Sequence, residues 1–395
     1  MFIGIIGKAN VGKSTFYKAV TLADVLIANY PFATIEPNKG AGFVRLDCVD
    51  VDFGVQCNPR VGFCVNHQRF VPVDVMDVAG LVPGAHEGKG LGLSFLDDLR
   101  QADVLVHVVD MAGSTNERGE PVEPGSYDPA NDLNFLEHEL DMWVLSILKK
   151  GWEKFARQLQ QEHGDVASAI GKQLSGLNIT ERHVKNSMQE LGIDAISPLH
   201  WSEEQLMQLA IVVRKTKPMI VAANKMDIPC AEANLKRIQQ EFPDMMIIPC
   251  SGDAELTLKQ AARANLIQYV QGDNKFAITG NVSDKQRAAL EFIQKNVLDK
   301  FGSAGVQKVL NAAVFDLLKY VAIFPGGVNK LADQYGRVLP DCFLLPPNST
   351  AFDFAGKIHT DLQKNFVAAI DVKSKRKVGR EQILKNRDVI EIMTK

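Results

Sequence analysis

The chain has 395 residues, of which 46% are hydrophobic and 23% charged, and its formal net charge is −3. These proportions suit a folded protein with a substantial core, and the near-balanced charge argues against one that coats nucleic acid wholesale. No apolar run approaches the roughly 18 residues needed to span a bilayer. The opening MFIGIIGK has neither a charged leader nor a small-residue cleavage site, so a cytoplasmic protein without a membrane span is expected. At ~150 residues per domain the length allows two or three domains.

The uniformly apolar run Phe2–Ile6 reads as a parallel strand buried on both faces. GKANVGKS follows at Gly7–Ser14, and TFYKAVTLADV then reads as a helix. This is GxxxxGK[ST] in the strand–loop–helix setting that phosphate binding requires. The glycines let successive amides of Gly7, Lys8, Ala9, Asn10, Val11 and Gly12 curl around a β-phosphate, and Thr15 continues the helix that faces the anion. Lys13 supplies positive charge between the β- and γ-phosphates, and the Ser14 hydroxyl can ligate Mg²⁺.

Cys48, Cys57 and Cys64, with His67 behind them, lack the CxxC pairing of structural zinc sites, and packing cysteines are the expectation. With only six cysteines in the chain, a disulfide framework is not expected. The strand RFVPVDVM ends in DVAG, Asp77–Gly80, where the Asp77 carboxylate can reach Mg²⁺ through water and the Gly80 amide can contact a γ-phosphate. The strand VLVHVVD then leads to GSTNERGEPVEPGSYDP, which reads as a Gly/Pro-rich linker. Asp128 is expected to cap a helix with Pro129 at its first position and an apolar stripe at Leu133, Leu136, Leu140, Val144, Ile147 and Leu148. Ser202–Gln205 forms a capping box for another helix.

The strand PMIVAA ends in NKMD, Asn224–Asp227. A carboxylate at Asp227 can accept hydrogen bonds from the N1–H and exocyclic amine of guanine. Adenine would present a lone pair there and leave the carboxylate short of a partner, so GTP and GDP are the expected ligands. IIPCSG reads as a further strand whose Ser251 and Gly252 supply a last base contact. Ser283–Gln286 caps a helix running to Gly302. YVAIFPGG, DCFLLPP, AFDFAGKIHTDL, FVAAIDVKS and DVIEIM read as short strands. Lys373, Lys375, Arg376, Lys377 and Arg380 form a basic cluster able to meet RNA phosphate.

GKANVGKST, ANYPFATIEPNKG, DVAGLVPGAHEGKGLG and NKMD together resemble the Obg family of GTPases, on the branch beside YchF-type proteins. The resemblance implies that Thr34 closes over Mg²⁺ and the γ-phosphate, so that Lys13, Thr34 and Gly80 form the catalytic set. It also implies that Leu81 stands where other GTPases carry a glutamine. Something else must then position the attacking water: a K⁺ ion held partly by Asn10, His86, His107 or a partner. YchF proper has a degraded base motif and looks like an ATPase, whereas Asn224-Lys225-Met226-Asp227 is intact here. GKIHTDLQKNF and RDVIEIM resemble the TGS domain, a ubiquitin-like module associated in that family with RNA or ribosome contacts.

The expected fold is therefore α/β: a doubly wound, mostly parallel P-loop sheet over residues 1–112 and 217–265, with an all-α insertion at 113–216. A helical segment at 266–318 completes or links the first domain, and a β-grasp domain covers 319–395. The expected activity is Mg²⁺-dependent hydrolysis of GTP by a monomer with slow intrinsic turnover, acting on the ribosome, ribosomal RNA or transfer RNA. The rival readings are an ATPase like YchF proper and an RNA-binding adaptor whose nucleotide is structural.

Overall fold

The computed structural model of the chain describes residues 1–22, 39–78 and 99–395. Its elements begin β1 (Phe2–Ile6), α1 (Lys13–Thr21), β2 (Lys39–Asp47), β3 (Phe63–Val65), β4 (Gln68–Asp77) and β5 (Val104–Asp110). Helices α2 (Ala130–Lys149), α3 (Trp152–Gln161), α4 (Val166–Gln173), α5 (Glu181–Leu191) and α6 (Glu203–Lys215) precede β6 (Met219–Asn224), α7 (Ala231–Glu241), β7 (Met246–Pro249) and α8 (Gly252–Arg263). Then come β8 (Ile267–Gln268), β9 (Ala277–Ile278), α9 (Asp284–Ile293), α10 (Val306–Asn311), β10 (Val321–Pro325) and β11 (Phe343–Leu345). The chain closes with α11 (Ala351–Ile358), α12 (Thr360–Lys364), β12 (Phe366–Asp371), β13 (Arg376–Val378) and β14 (Val389–Thr394). Contacts group these into two compact units, Met1–Tyr17 with Met76–Asp253, and Lys18–Val75 with Ala254–Lys395. The division at Asp253 differs from the sequence-based boundary at 265, because α8 shares its apolar core (Ala254, Leu258) with Leu290, Val297 and Leu298.

In the first unit β1, β5, β6 and β7 lie side by side and parallel, with registers such as Ile5↔Val106, Val108↔Ala222 and Ala223↔Pro249. Every residue of β5 is buried, as a strand covered on both faces demands. Parallel strands deliver the loops that follow them to one edge, the usual ligand crevice of an open α/β sheet. The helices between β5 and β6 do not build a separate core. Leu136, Trp143, Leu148, Ile170 and Val213 join Ile6, Met76 and Leu105 in one cluster. Within it the Trp152 and Trp201 rings stack at 5.3 Å.

Local signals explain most boundaries. Ser202 and Gln205 close both bonds of a capping box at the start of α6, and Ser283 and Gln286 do the same for α9. At α2 the expectation shifts by one residue: Pro129 is the cap rather than the first helical residue, while the Asp128 carboxylate still accepts from the Ala130 amide at 2.9 Å. The run read as a linker is ordered, with an antiparallel bridge between Thr115 and Pro121. The strand expected at IIPCSG ends at Pro249, and Gly252 already begins α8.

In the second unit β3 pairs antiparallel with β4, stacking the Phe63 and Phe70 rings 4.4 Å apart. The C-terminal strands form a mixed sheet ordered β11-β10-β14-β12-β13. AFDFAGKIHTDL, read as a strand, is instead α11 and α12. Thr350 and Asp353 cap the first of these helices, and its buried Phe354 meets Ile323, Leu345 and Ile390 of the sheet. The continuous helix expected up to Gly302 contains a π turn at Gln294–Leu298, and Gly302 ends it at φ 73°.

Gly171, inside α4, gives a sensitive test of the insert's packing. A Cβ there would lie 2.6 Å from the Glu181 amide nitrogen and 2.9 Å from its Cα. In an open helix Gly→Ala stabilises by about 1 kcal/mol. Here Gly171→Ala is expected to destabilise by about 1–3 kcal/mol through overpacking of α4 on α5. A urea titration should show a lower midpoint at unchanged slope, and a raised midpoint would refute the close approach.

Candidate nucleotide site

The loop Gly7–Gly12 leaves β1 and turns into α1, whose first residues are Lys13, Ser14 and Thr15. Gly12 has φ +93°, and a Cβ there would sit 2.3 Å from Asn224 Nδ2. Gly7 approaches the sheet so closely that its Cβ would meet the Val108 carbonyl oxygen at 2.6 Å. Both positions therefore demand glycine for physical reasons, conformational at Gly12 and spatial at both. Asn10 holds φ 59°, a conformation asparagine tolerates, and its side-chain amide donates to the Gly119 carbonyl at 2.8 Å.

Lys13 donates to Asp77 Oδ1 and to the Val78 carbonyl, both at 2.6 Å. The lysine at the head of α1 and the acid at the end of β4 thus share one spot. Ser14 is exposed beside it. Thr34, Gly80, Leu81 and His86, with Gly84, Gly88, Gly90 and Gly92, lie outside the described residues.

Asn224 ties the base-side loops to this spot. Its Nδ2 donates to the Val11 carbonyl at 2.9 Å, and its Oδ1 accepts from the Gly252 amide at 2.9 Å. One buried side chain therefore joins the loops after β1, β6 and β7. Asp227 is half-buried and accepts from Ser251 Oγ at 2.7 Å, which fixes one carboxylate oxygen. Lys225, at φ 63°, reaches back to Asp110 Oδ2 at 2.9 Å and Ser114 Oγ at 3.0 Å. Lys13, Ser14, Asp77, Asn224, Lys225, Asp227, Ser251 and Gly252 are all carried on strand ends, loops or helix starts at one edge of the sheet.

Two parts of this site escaped the sequence reading. Asp110, 1% exposed, accepts from the amides of Ala112 and Ser114 and the hydroxyls of Ser114 and Thr115, as well as from Lys225. It shapes the start of the 111–127 segment, and its position at the end of a buried strand was the available signal. Lys8 is the second. Its ammonium is buried, donates to Asp132 Oδ1 at 2.8 Å and the Thr115 carbonyl at 2.9 Å, and lies 3.8 Å over the Tyr127 ring. Tyr127 OH also donates to Asp132 Oδ1. Burial raises the Asp132 carboxyl, with the Lys8 ammonium pulling against it. These bonds fasten the insert's first helix and its lead-in to the phosphate loop.

His107 was one candidate for placing the attacking water. It is 3% exposed in the middle of β5, and its Nδ1 has no hydrogen-bond partner. Burial, then the Lys8 charge, push its pKa down to about 3. A neutral histidine packed within the sheet has no access to a reacting water, so the position serves the core.

The fold and site define a P-loop nucleotide-binding domain with a guanine-type base loop and a C-terminal sheet module. Family models agree: "50S ribosome-binding GTPase" over residues 2–149, "Obg-like GTPase YGR210-like, G4 motif-containing domain" over 222–327, and "TGS domain" over 333–394. The chain is 47% identical to an uncharacterized GTP-binding protein of Methanocaldococcus jannaschii, covering 99% of this chain and 98% of that one. It is 34% identical to an uncharacterized GTP-binding protein of Schizosaccharomyces pombe, covering 89% and 88%. A crystal structure of a GTP-binding protein from Pyrococcus horikoshii matches all of both chains at 37% identity and TM-score 0.79. The chain belongs to the YchF-related Obg-like GTP-binding proteins.

The buried His107 generates a pH prediction. Its folded pKa, about 3, lies below the usual 6.5, so the unfolded chain binds the extra proton between those values. Stability from this group is then complete above pH 6.5 and falls as pH drops toward 3, by up to about 1.4 kcal/mol per pH unit. His107→Gln should flatten the acid limb of the stability–pH curve measured by urea unfolding. An unchanged slope between pH 6.5 and pH 4 would show that His107 does not govern it.

Proposed function

We propose that this protein is a GTPase switch, hydrolysing GTP to GDP and phosphate with Mg²⁺. The observation that carries the reading is the Asn224 clamp, which places a half-buried Asp227, fixed by Ser251, in register with the phosphate loop. Guanine offers two donors to such a carboxylate and adenine offers none in that place. The hard oxygen donors Ser14 and Asp77 beside Lys13 fit Mg²⁺, which would neutralise charge developing on the phosphates. Lys13 would exchange its bond to Asp77 for phosphate oxygens, freeing that carboxylate to hold a metal-bound water. The amides of Gly7–Gly12 and the head of α1 supply the remaining fixed dipoles. Thr34 and Gly80 are assigned to the γ-phosphate by the family motifs alone. The K⁺ hypothesis stays attached to Asn10: with its amide nitrogen committed to Gly119, its side-chain oxygen is the atom a cation would take.

The second reading is an ATPase, which a relative's name favours: the ribosome-binding ATPase YchF of Bacillus subtilis is 26% identical over 93% of this chain. The intact Asn224–Asp227 motif argues for guanine instead. Titration of the full chain with labelled nucleotides separates the two. GTP and GDP should bind at least about tenfold tighter than ATP and ADP, and Asp227→Asn should lose about that factor for guanine only. Equal affinities would overturn the assignment. Lys13→Ala should abolish turnover, while replacing K⁺ by Na⁺ should slow it if Asn10 holds an ion.

We further place the protein on the ribosome. The support is that relative's name, the TGS domain, and Lys375, Arg376 and Lys377, all exposed on or beside the edge strand β13. Lys373 and Arg380 are engaged locally, with Asp52 at 2.5 Å and over the Phe352 ring at 3.6 Å. Co-sedimentation with ribosomes should require a non-hydrolysable GTP analogue and weaken with salt. Reversing Lys375, Arg376 and Lys377 to Glu should abolish it while sparing nucleotide binding. For every RNA phosphate that a single substitution leaves without its cation, the log–log salt slope should flatten by about 0.7–0.9. Undiminished co-sedimentation of the reversed variant would move docking elsewhere, first to the helices of the insert.

A further inference from the structure

The three cysteines expected to be packing residues converge on one buried carboxylate. Cys48 directly follows β2, Asp50 lies in the 3₁₀ turn Val49–Phe53, Cys57 follows in the loop, and Cys64 sits in β3. One ligand atom from each of the four lies within 4.8 Å of every other. The Cys48 and Cys57 sulfurs are 3.5 Å apart, and Cys64 Sγ is 3.9 Å from Asp50 Oδ2. Around a tetrahedral zinc, with bonds of about 2.3 Å to sulfur and about 2.0 Å to oxygen, neighbouring ligands would stand about 3.5–3.8 Å apart. Two edges, at 3.5 and 3.9 Å, lie close to that figure, and the remaining ligand atoms stand within 4.8 Å of one another, so the set is gathered to about the size of a tetrahedral site.

The charge balance around the cluster points the same way. Asp50 is fully buried, and its other oxygen, Oδ1, is 3.0 Å from His67 Nδ1. A carboxylate binding metal through one oxygen and a histidine through the other is a common outer-shell arrangement. Oδ2 also accepts from the Cys57 amide at 3.0 Å and lies 3.5 Å from Gln56 Nε2. Arg69 is 0% exposed and donates to the Leu339 and Pro340 carbonyls at 3.0 Å and to Cys57 Sγ at 3.7 Å. Among the described residues it forms no ion pair, and its Nε has no hydrogen-bond partner. A buried guanidinium facing only neutral acceptors is costly. An anionic cluster beside it removes that cost.

We propose that Cys48, Cys57 and Cys64, with Asp50 Oδ2 as fourth ligand, form a structural site for a thiophilic divalent cation, zinc in the first instance. Binding releases the three thiol protons. Three thiolates and one carboxylate around Zn²⁺ carry a net charge of −2, which Arg69 halves. Sulfur donors select zinc over magnesium, so this site is distinct in chemistry from the nucleotide's metal. Four protein ligands leave no open position, which makes the ion a staple rather than a catalyst. It would lock the end of β2, the 3₁₀ turn and the β3–β4 hairpin together. The TGS segment rests on that lobe through Asn58 N to Val338 O and Arg60 N to Pro340 O, both 2.8 Å, and through the Arg69 bonds.

The test uses the full chain purified under reducing conditions without chelator. Elemental analysis should find about one zinc per chain, and reconstitution with Co²⁺ should give the thiolate charge-transfer and intense tetrahedral d–d absorptions of a sulfur-rich site. Cys64→Ser, and His67→Ala through the loss of the Asp50 Oδ1 partner, should each lose metal at least about tenfold more readily to a competing chelator, whereas Cys230→Ser should keep it. If Cys64→Ser does not fold, the cobalt spectrum of the unmodified chain decides. A folded chain that gives no such spectrum and whose three thiols all titrate freely would overturn the proposal. So would a Cys48–Cys57 disulfide found by mass spectrometry under the same conditions.

Discussion

The nucleotide site depends on the hydrogen bonds of one side chain, Asn224. Its amide spans from the Val11 carbonyl to the Gly252 amide, so three loops that share no sequence neighbourhood hold one geometry. The approach is tight enough that Gly12 has no room for a Cβ. A buried amide satisfied on both sides is worth more to specificity than to stability, because either loop moving would orphan a polar group. Phosphate recognition and base recognition both presuppose this clamp.

A second layer of buried polarity attaches the helical insert to the same loop. Lys8 looks like a further phosphate ligand in the linear motif, yet its ammonium turns inward to Asp132, Thr115 and the Tyr127 ring. Asp110 gathers Lys225 and the turn 112–115 from the other side. The insert's first helix is thus bonded to the residues that would feel a nucleotide, and its apolar face is continuous with the sheet's core. That continuity makes the helical region part of the nucleotide-binding body rather than an appended module.

The second unit is organised around a different problem, the burial of Arg69. Its guanidinium ties β4 to the Leu339 and Pro340 carbonyls, at the start of the C-terminal module. The anionic partner that burial demands is supplied, on our reading, by the cysteine cluster. Stability of the lobe and seating of the TGS domain are then coupled through one buried charge.

Much of this was legible in the sequence because it rests on local rules. The buried parallel strands at Phe2–Ile6 and Val104–Asp110, the phosphate loop, NKMD, and the capping boxes at Ser202 and Ser283 all depend on residues within a few positions of one another. One failure was of a local rule: AFDFAGKIHTDL was read as a strand although Thr350 and Asp353, three residues apart, form a capping box for a helix. The other failures had non-local reasons. The Gly/Pro-rich run after Asp110 has the composition of a linker, yet Asp110, Lys8 and Asn10 supply partners for its backbone. His107 carries the same letter as a catalytic base, and only burial reveals it as neutral core. The cysteines show the limit most plainly. Spacings of nine and seven residues match no local metal pattern, and it takes a turn, a hairpin and a buried arginine to bring three sulfurs to one carboxylate. Sequence by itself determines which groups are available and the short-range geometry between neighbours. Which distant groups share a dielectric, a charge or a ligand is decided by tertiary packing alone.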